Sequence, residues 1–443
     1  MHNLFMNKIE TAYLRKRKST LMQKRYDIYK DAGNPLRLVS VESGIVVPPL
    51  HSVSTDSCVL DADGHLVDIS VYDCEDGYIE SINNGRVSVS DIPKRSGRVL
   101  YGGFFNPHWG HFVVDTLSRL WPLAGGCLNE IDRIVFTVSN GTVPTVMDNK
   151  FTALKLLGLD GMIEFVDTPV RYDCVWVPEV AVSPLERFAS ESLAVYDRII
   201  ASAMKIANAG SGLTRSASRK IYMSRSKLPK ARKFEAGLEW LDRFYRDSGY
   251  EVIYPEKTDL VSMIAILQSA DEVAAISGTL PHNMLFARPG THLDIIEKYP
   301  TINNYQQGID LLKHLDVTLI DACAFIRPVD PGAGPFILYP TAQFKAYASD
   351  RRLAAVPAIS DGFRHRAVAK FIRGYRRMYH HRWVFPQWLE EEIGLCNEAY
   401  DDTYVEFGAW LDGRHPATPA DCLSPRDTAK RAVRYLKKMI SKD

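Results

Sequence analysis

Cysteine is scarce in this chain, and its placement is uninformative as a framework. Cys58, Cys74, Cys127, Cys174, Cys323, Cys396 and Cys422 are odd in number and never form a CxxC pair. This argues against a structural zinc site or a set of disulfides and suits a reducing compartment. Long apolar runs are missing as well. No window approaches the roughly eighteen uninterrupted apolar residues of a spanning helix, and the N-terminus has no apolar leader core, so the chain is expected to be neither secreted nor membrane-spanning. A large excess of one charge is also absent. A net charge of +1 excludes a molecule that binds nucleic acid through its overall field. No short-period repeat is present.

What is present is length and apolar content. The 443 residues exceed what one hydrophobic core usually serves, and a hydrophobic fraction of 46% can fill two. Both ends are basic: Arg15-Lys16-Arg17-Lys18 with Lys24-Arg25 near the start, and Lys430, Arg431, Arg434, Lys437, Lys438 and Lys442 at the finish. Such clusters form a solvated helix face or meet an anionic membrane surface.

The chain reads as four parts. Residues 1–38 are a basic segment expected to be helical. Residues 39–207 begin with short β segments in hairpin grammar, as in Ser57-Cys58-Val59-Leu60, the turn Asp61-Ala62-Asp63-Gly64, and His65 to Ile69. The Asp-x-Asp of that turn could be a metal clamp, but Asp-Gly between alternating apolar runs is ordinary turn chemistry. Strand and helix patterns then alternate from Arg98, with apolar runs at Arg133–Val138, Met162–Val166 and Cys174–Val177 that suit a parallel sheet buried on both faces.

Residues 208–219 have linker composition. The alternation restarts after them, over a second domain spanning 215–335: strands at 220–223, 251–254, 272–276 and 292–296, helices at 234–248, 259–268 and 281–287. Residues 336–443 read as a helical, basic extension. The expected fold class is α/β, with two facing Rossmann-like parallel-sheet domains, a short β-rich N-terminal region and a helical C-terminal extension.

Open parallel sheets bind ligands beyond the carboxyl ends of their strands, which selects two places. One is Ser277-Gly278-Thr279-Leu280-Pro281-His282-Asn283, where glycine allows close backbone approach and Thr279 and Pro281 suit a helix start; a diphosphate would fit. The same residues are also ordinary strand-to-helix punctuation. Glu297, at the end of the next strand, could accept from ribose hydroxyls, and Arg225 could offer a guanidinium fork to phosphate oxygens. The other place is Gly102 to Asp115. A helix is expected from Asn106-Pro107, which would put His108, His111 and Asp115 on one face. That face could supply a general base, hold core hydrogen bonds, or ligate a metal; the usual helical zinc pair, however, is i, i+4.

These residues resemble glycosyltransferase family 61. The resemblance rests on His108-Trp109-Gly110-His111-Phe112 with Asp115, on Tyr222-Met223-Ser224-Arg225 followed by Arg232 and Glu235, and on Gly249 to Val252 with Pro255-Glu256. It continues through Leu260, Ala270-Asp271, Ser277-Gly278-Thr279, Asn283 to Phe286 and Glu297, covering about residues 95–300. It implies a GT-B-like pair of domains and inverting transfer from a nucleotide sugar, usually a UDP-sugar, with no required metal and no other cofactor. On matching positions it implies that Arg225, Thr279, Asn283 and Glu297 contact the nucleotide while His111 and Asp115 face the acceptor. The candidate nucleotide set is then Arg225, Arg232, Glu256, Ser277, Gly278, Thr279, His282, Asn283 and Glu297; the candidate catalytic set is Asp115, His111 and His108. Two positions depart from the family pattern. Many relatives carry His-Gly-Ala where this chain has Ser277-Gly278-Thr279, and Asn-Glu is common around Glu235.

The expected function is a metal-independent glycosyltransferase acting in surface polysaccharide synthesis, with a nucleotide sugar as donor and a glycan or lipid-linked glycan as acceptor. The expected location is the cytoplasm, peripheral at the inner face of the plasma membrane through the basic termini. Alternatives are a non-catalytic nucleotide- or glycan-binding subunit of a polysaccharide assembly complex and an epimerase of the same architecture. No nucleic-acid partner is expected.

Overall fold

A computed structural model describes residues 8–14, 19, 35–49, 57–71, 91–139, 144, 148–183, 187–210, 219–228, 235–298, 303–323 and 334–358, with a few positions between 360 and 367. Arg232, both terminal basic clusters and all residues from 368 onward lie outside the described residues. The chain is α/β, with two large sheets. No helix among the described residues is long and apolar enough to cross a membrane.

The second sheet has six strands, all paired in parallel. From one edge they run Glu251–Ile253, Arg219–Met223, Ala270–Ile276, His292–Glu297, Asp316–Asp321 and Ile9–Tyr13. Numbered along the domain, the first five fall in the order 2-1-3-4-5, a doubly wound arrangement whose direction reverses between Arg219–Met223 and Ala270–Ile276. Period-two side chains explain why helices cover both faces. Tyr222, Ala274, Ile276 and Ile296 face the helices Leu238–Asp247 and Ala342–Asp350. Their neighbours Ile221, Met223, Ala275 and Ile295 join Leu260, Met263 and Ile264 of the helix Leu260–Ser269 in the other core.

Three sequence expectations need correction here. The segment 1–38, expected to be helical, supplies a strand at Ile9–Tyr13 that closes the far edge of the second sheet. Residues 336–350, assigned to the extension, are part of the second domain: Phe336–Ile337 pairs with Glu235–Ala236, and the helix Ala342–Asp350 packs on the sheet through Phe344 and Tyr347. The first sheet is mixed. Lys94–Phe104, Arg133–Thr137, Ile163–Val166 and Val170–Pro178 are parallel, whereas Leu38–Glu42 and Ile45–Val47 run antiparallel to Val170–Pro178, and Cys58–Leu60 pairs with Ile45–Val47. The hairpin region therefore extends the first sheet. In its Asp-Gly turn the Asp61 carboxylate accepts from the backbone N–H groups of Asp63 and His65, at 3.0 and 2.8 Å, which is the Asx chemistry expected there.

The first domain's Leu100, Ile134 and Phe136 belong to the same apolar cluster as Ile221 and Met223 of the second, so the two domains share a core. Polar ties reinforce it. The Asn149 amide donates to Thr258 O at 3.4 Å and accepts from Leu260 N at 3.2 Å, capping a helix of the other domain.

An ion cluster knits the amino ends of the second sheet to the helix Ala342–Asp350. His292 Nδ1 lies 2.9 Å from Asp316 Oδ2 and Nε2 lies 3.1 Å from Asp294 Oδ1. Tyr347 donates to Asp294 Oδ2 at 2.6 Å, and Lys220 and Arg351 both hold Glu272. A carboxylate on each ring nitrogen calls for an N–H on both. Burial lowers the His292 pKa, but the bonds and charge of Asp294 and Asp316 outweigh it and raise the value overall. A raised folded-state pKa stabilises fully below the unfolded value of about 6.5 and ceases to do so as pH climbs through the folded value. The Tm gap between wild type and His292→Gln is expected to be widest near about pH 6 and to narrow toward about pH 9. A gap that stays constant over that range would refute the charged imidazole.

Candidate active site

The first half of the site begins where the strand Lys94–Phe104 ends. Phe105 anchors that end, packing edge-on against Phe112, Phe136 and Phe165 at centroid distances of 5.3, 5.5 and 5.0 Å. The helix expected from Asn106-Pro107 starts two residues later, at Trp109. Asn106 does not cap it: its Oδ1 accepts from His108 N at 2.9 Å in an Asx turn, and His108 is the extended, exposed N-cap residue. After His111 the helix widens into a π turn over Phe112–Thr116. Tyr196, fully buried, donates to the Val113 carbonyl at 2.7 Å, which supports this wider turn. Single π turns recur at functional sites because they re-aim side chains.

Within it, Asp115 Oδ2 lies 2.9 Å from His111 Nδ1. The carboxylate is 14% exposed and the imidazole 49%, so a sheltered acid stands behind an accessible ring. The expected three-residue face is therefore a His111–Asp115 pair, preceded by His108 on extended backbone.

Asp115 also borders a small cleft that is partly open to solvent. Its walls include Ser57, Tyr101, Asn106 and Arg119. Ser57 Oγ lies 2.6 Å from Tyr101 Oη and 2.5 Å from Thr137 Oγ1, forming a buried chain of hydroxyls. Arg119 donates to Pro178 O at 3.1 Å while its guanidinium lies 5.2 Å from the Tyr101 ring centroid. Of these side chains the sequence singled out only Asn106, as a helix start, because scattered hydroxyls become a site only when a sheet gathers them.

The second half of the site lies at the carboxyl ends flanking the sheet reversal. Ser224 and Ser226, on either side of Arg225, both donate to Asp242 at 2.5 Å, fixing the turn that carries the guanidinium. Arg225 NH1 lies 3.5 Å from Glu235 Oε1. Across the reversal, Ser277 Oγ accepts from Lys298 N at 3.3 Å, and Gly278 has φ +117°, which only glycine adopts without strain. The helix expected over 281–287 is a 3₁₀ helix, Leu280–Phe286. Glu297 is fully buried at its strand end, and Glu256 is exposed in the turn after Glu251–Ile253.

The two halves touch. Trp109 Nε1 donates to Asn283 Oδ1 at 2.9 Å while the Asn283 amide donates to Leu280 O at 2.8 Å, a pair of bonds that takes up this side chain and stabilises by about 0.5–1.5 kcal/mol each. A Cβ on Gly110 would stand 2.7 Å from Thr279 Cγ2 and 3.1 Å from His282 Nδ1. Tyr305 bridges the remaining gap, its ring 5.6 Å from His111 and 6.1 Å from His282. The His-Trp-Gly-His segment of one domain is thus seated on the Ser-Gly-Thr turn of the other.

A model of the family Glycosyltransferase 61 matches residues 109–293. Those residues form a glycosyltransferase 61 domain. The match opens on Trp109, at the domain contact, and ends at residue 293 in the strand His292–Glu297, so it takes in His111, Asp115, Arg225 and the Ser277–Asn283 turn and stops short of Glu297. No curated protein matches the chain. The activity that the glycosyltransferase 61 family implies is glycosyl transfer, with a sugar donor and an acceptor as its ligands.

Proposed function

We propose that the chain is an inverting, metal-independent glycosyltransferase that moves a sugar from a nucleotide donor, a UDP-sugar, to a glycan or lipid-linked glycan acceptor in surface polysaccharide synthesis. The observation that carries this reading is the Trp109–Asn283 contact, because it holds the His111–Asp115 pair beside the Ser277–Asn283 turn. Inverting transfer needs a base for the acceptor hydroxyl and positive charge for the departing diphosphate, on opposite sides of one anomeric carbon. Asp115 is the proposed base, with the His111 ring orienting it, and the acceptor is taken to approach from the cleft beside Asp115. On the donor side, Arg225 and the Ser277-Gly278-Thr279 turn cradle the diphosphate and Glu297 takes the ribose. Asn283 joins His282 in holding the turn against the first domain. The proposed location is the cytoplasmic face of the membrane, reached through the basic termini.

Mixing UDP-sugars with candidate acceptors is expected to release UDP only when both are present, and UDP alone is expected to raise Tm; at a hundred times Kd the stabilisation is about 2.7 kcal/mol. A rise in Tm without acceptor-dependent release would favour the binding-subunit reading, which the serine at 277 makes concrete. If no nucleotide moved Tm, the donor assignment would fall.

A further inference from the structure

The short 3₁₀ helix Leu280–Phe286 gives the candidate diphosphate site little of the dipole that a long α-helix would bring, and Thr279 makes no side-chain cap. Positive charge has to come from side chains. Arg225 is one source; the other is a residue outside the expected set. Lys298 follows the buried Glu297 at the end of His292–Glu297, and its side chain is fully buried. Its Nζ lies 2.6 Å from Glu235 Oε1, the same oxygen that Arg225 approaches at 3.5 Å. A Cβ on Gly278 would stand 3.4 Å from that Nζ. The ammonium therefore lies against the bare face of the Ser277-Gly278-Thr279 turn, with the Phe336 ring 4.8 Å behind it.

A buried ion pair of this kind stabilises a fold no better than an apolar pair of similar volume. What it provides is a charged amine at a fixed point, next to the only residue type that leaves the turn open. Two cations converging on one carboxylate oxygen, beside the sheet's reversal, leave one positive charge that Glu235 does not balance, which favours a further anion.

We propose that Lys298, positioned by Glu235, binds the diphosphate of the donor and neutralises the charge that develops on it. This rests on the nucleotide-sugar reading above. In the transfer step the acceptor oxygen bonds to the anomeric carbon as the bond from that carbon to the β-phosphate oxygen breaks. The electron pair leaves with the phosphate oxygen, toward Lys298, and the acceptor's proton passes to Asp115.

The test compares full-length wild type with Lys298→Met, Lys298→Arg and the double variant Glu235→Gln/Lys298→Met, which keeps the pair electroneutral if the single change fails to fold. Affinities for uridine, UMP, UDP and inorganic pyrophosphate are measured by calorimetry. Lys298→Met is expected to weaken UDP and pyrophosphate by about tenfold or more while uridine is unchanged, with Lys298→Arg retaining most of the difference. Turnover is expected to fall by about 10²-fold with a smaller change in KM. A folded methionine variant that keeps the wild-type preference for UDP over uridine would overturn the role of Lys298 and leave the donor reading standing. Wild type that binds pyrophosphate in a Lys298-dependent way but no uridine nucleotide would support Lys298 and overturn the uridine donor. Wild type that binds neither pyrophosphate nor UDP would overturn both.

Discussion

Asp115→Asn is expected to lower sugar transfer by about 10²–10⁴-fold, the usual contribution of a positioned general base, while UDP affinity stays close to wild type. Asparagine keeps the shape of the carboxylate and can still meet His111 Nδ1 across 2.9 Å, so packing within the π turn is retained and the loss isolates proton transfer. The measurement is acceptor-dependent UDP release under saturating donor, set beside UDP binding by calorimetry. His111→Gln separates the two members of the pair. If Asp115 takes the proton and His111 orients it, the glutamine variant retains more activity than Asp115→Asn; if the imidazole is the base, both fall to the same floor because they act as a unit. Wild-type turnover in Asp115→Asn would remove this residue from the chemistry altogether.

The second large effect is expected from the smallest substitution. Gly110→Ala adds one methyl where the domains meet, 2.7 Å from Thr279 Cγ2, closer than carbon atoms tolerate. Gly110 sits in the helical turn Trp109–His111, so alanine has no backbone difficulty there and the strain falls on the contact. Separating the His111–Asp115 pair from the Ser277–Thr279 turn by about 1 Å is enough to cost about 10²-fold in rate. Removing the obstructing methyl in Gly110→Ala/Thr279→Ser is expected to restore much of that loss, which makes the pair non-additive in a double-mutant cycle. An alanine variant as active as wild type, or a double variant no better than the single, would show that the contact does not set the reaction geometry.

Much of the second domain was legible. Buried parallel strands are short apolar runs of fixed period, and those expected at 220–223, 251–254, 272–276 and 292–296 fall within a residue or two of Arg219–Met223, Glu251–Ile253, Ala270–Ile276 and His292–Glu297. The helix Leu260–Ser269 was legible too, with Asp259 capping it through Ser262 N. Features decided by partners distant in sequence were not. The π turn takes a hydrogen bond from the distant Tyr196 at Val113, and nothing between Phe112 and Thr116 announces it. The Leu280–Phe286 segment reads as a helix because Pro281 suits a first turn, yet it remains 3₁₀ under packing from both domains. The candidate site was legible in its two motifs and not in what joins them. Trp109 and Tyr305 acquire a role from the contact between the domains, and Glu235 and Lys298 from an ion pair within the second, although a lysine following Glu297 at the close of an apolar strand was a usable sign.

The strand Ile9–Tyr13 has a consequence for how the molecule comes into being. It is made long before the strand it pairs with, Asp316–Asp321; Glu10 and Thr318 are 308 residues apart. Until that strand is made, its backbone donors and acceptors lack this neighbour, and the first domain forms while the strand is unplaced. Pairing at such separation carries a large loop-closure entropy and slows the final step. A fragment beginning at the linker would meet the opposite problem, a bare strand at Asp316–Asp321 available to any other copy, so dissecting this chain into its two halves invites aggregation instead of independent domains.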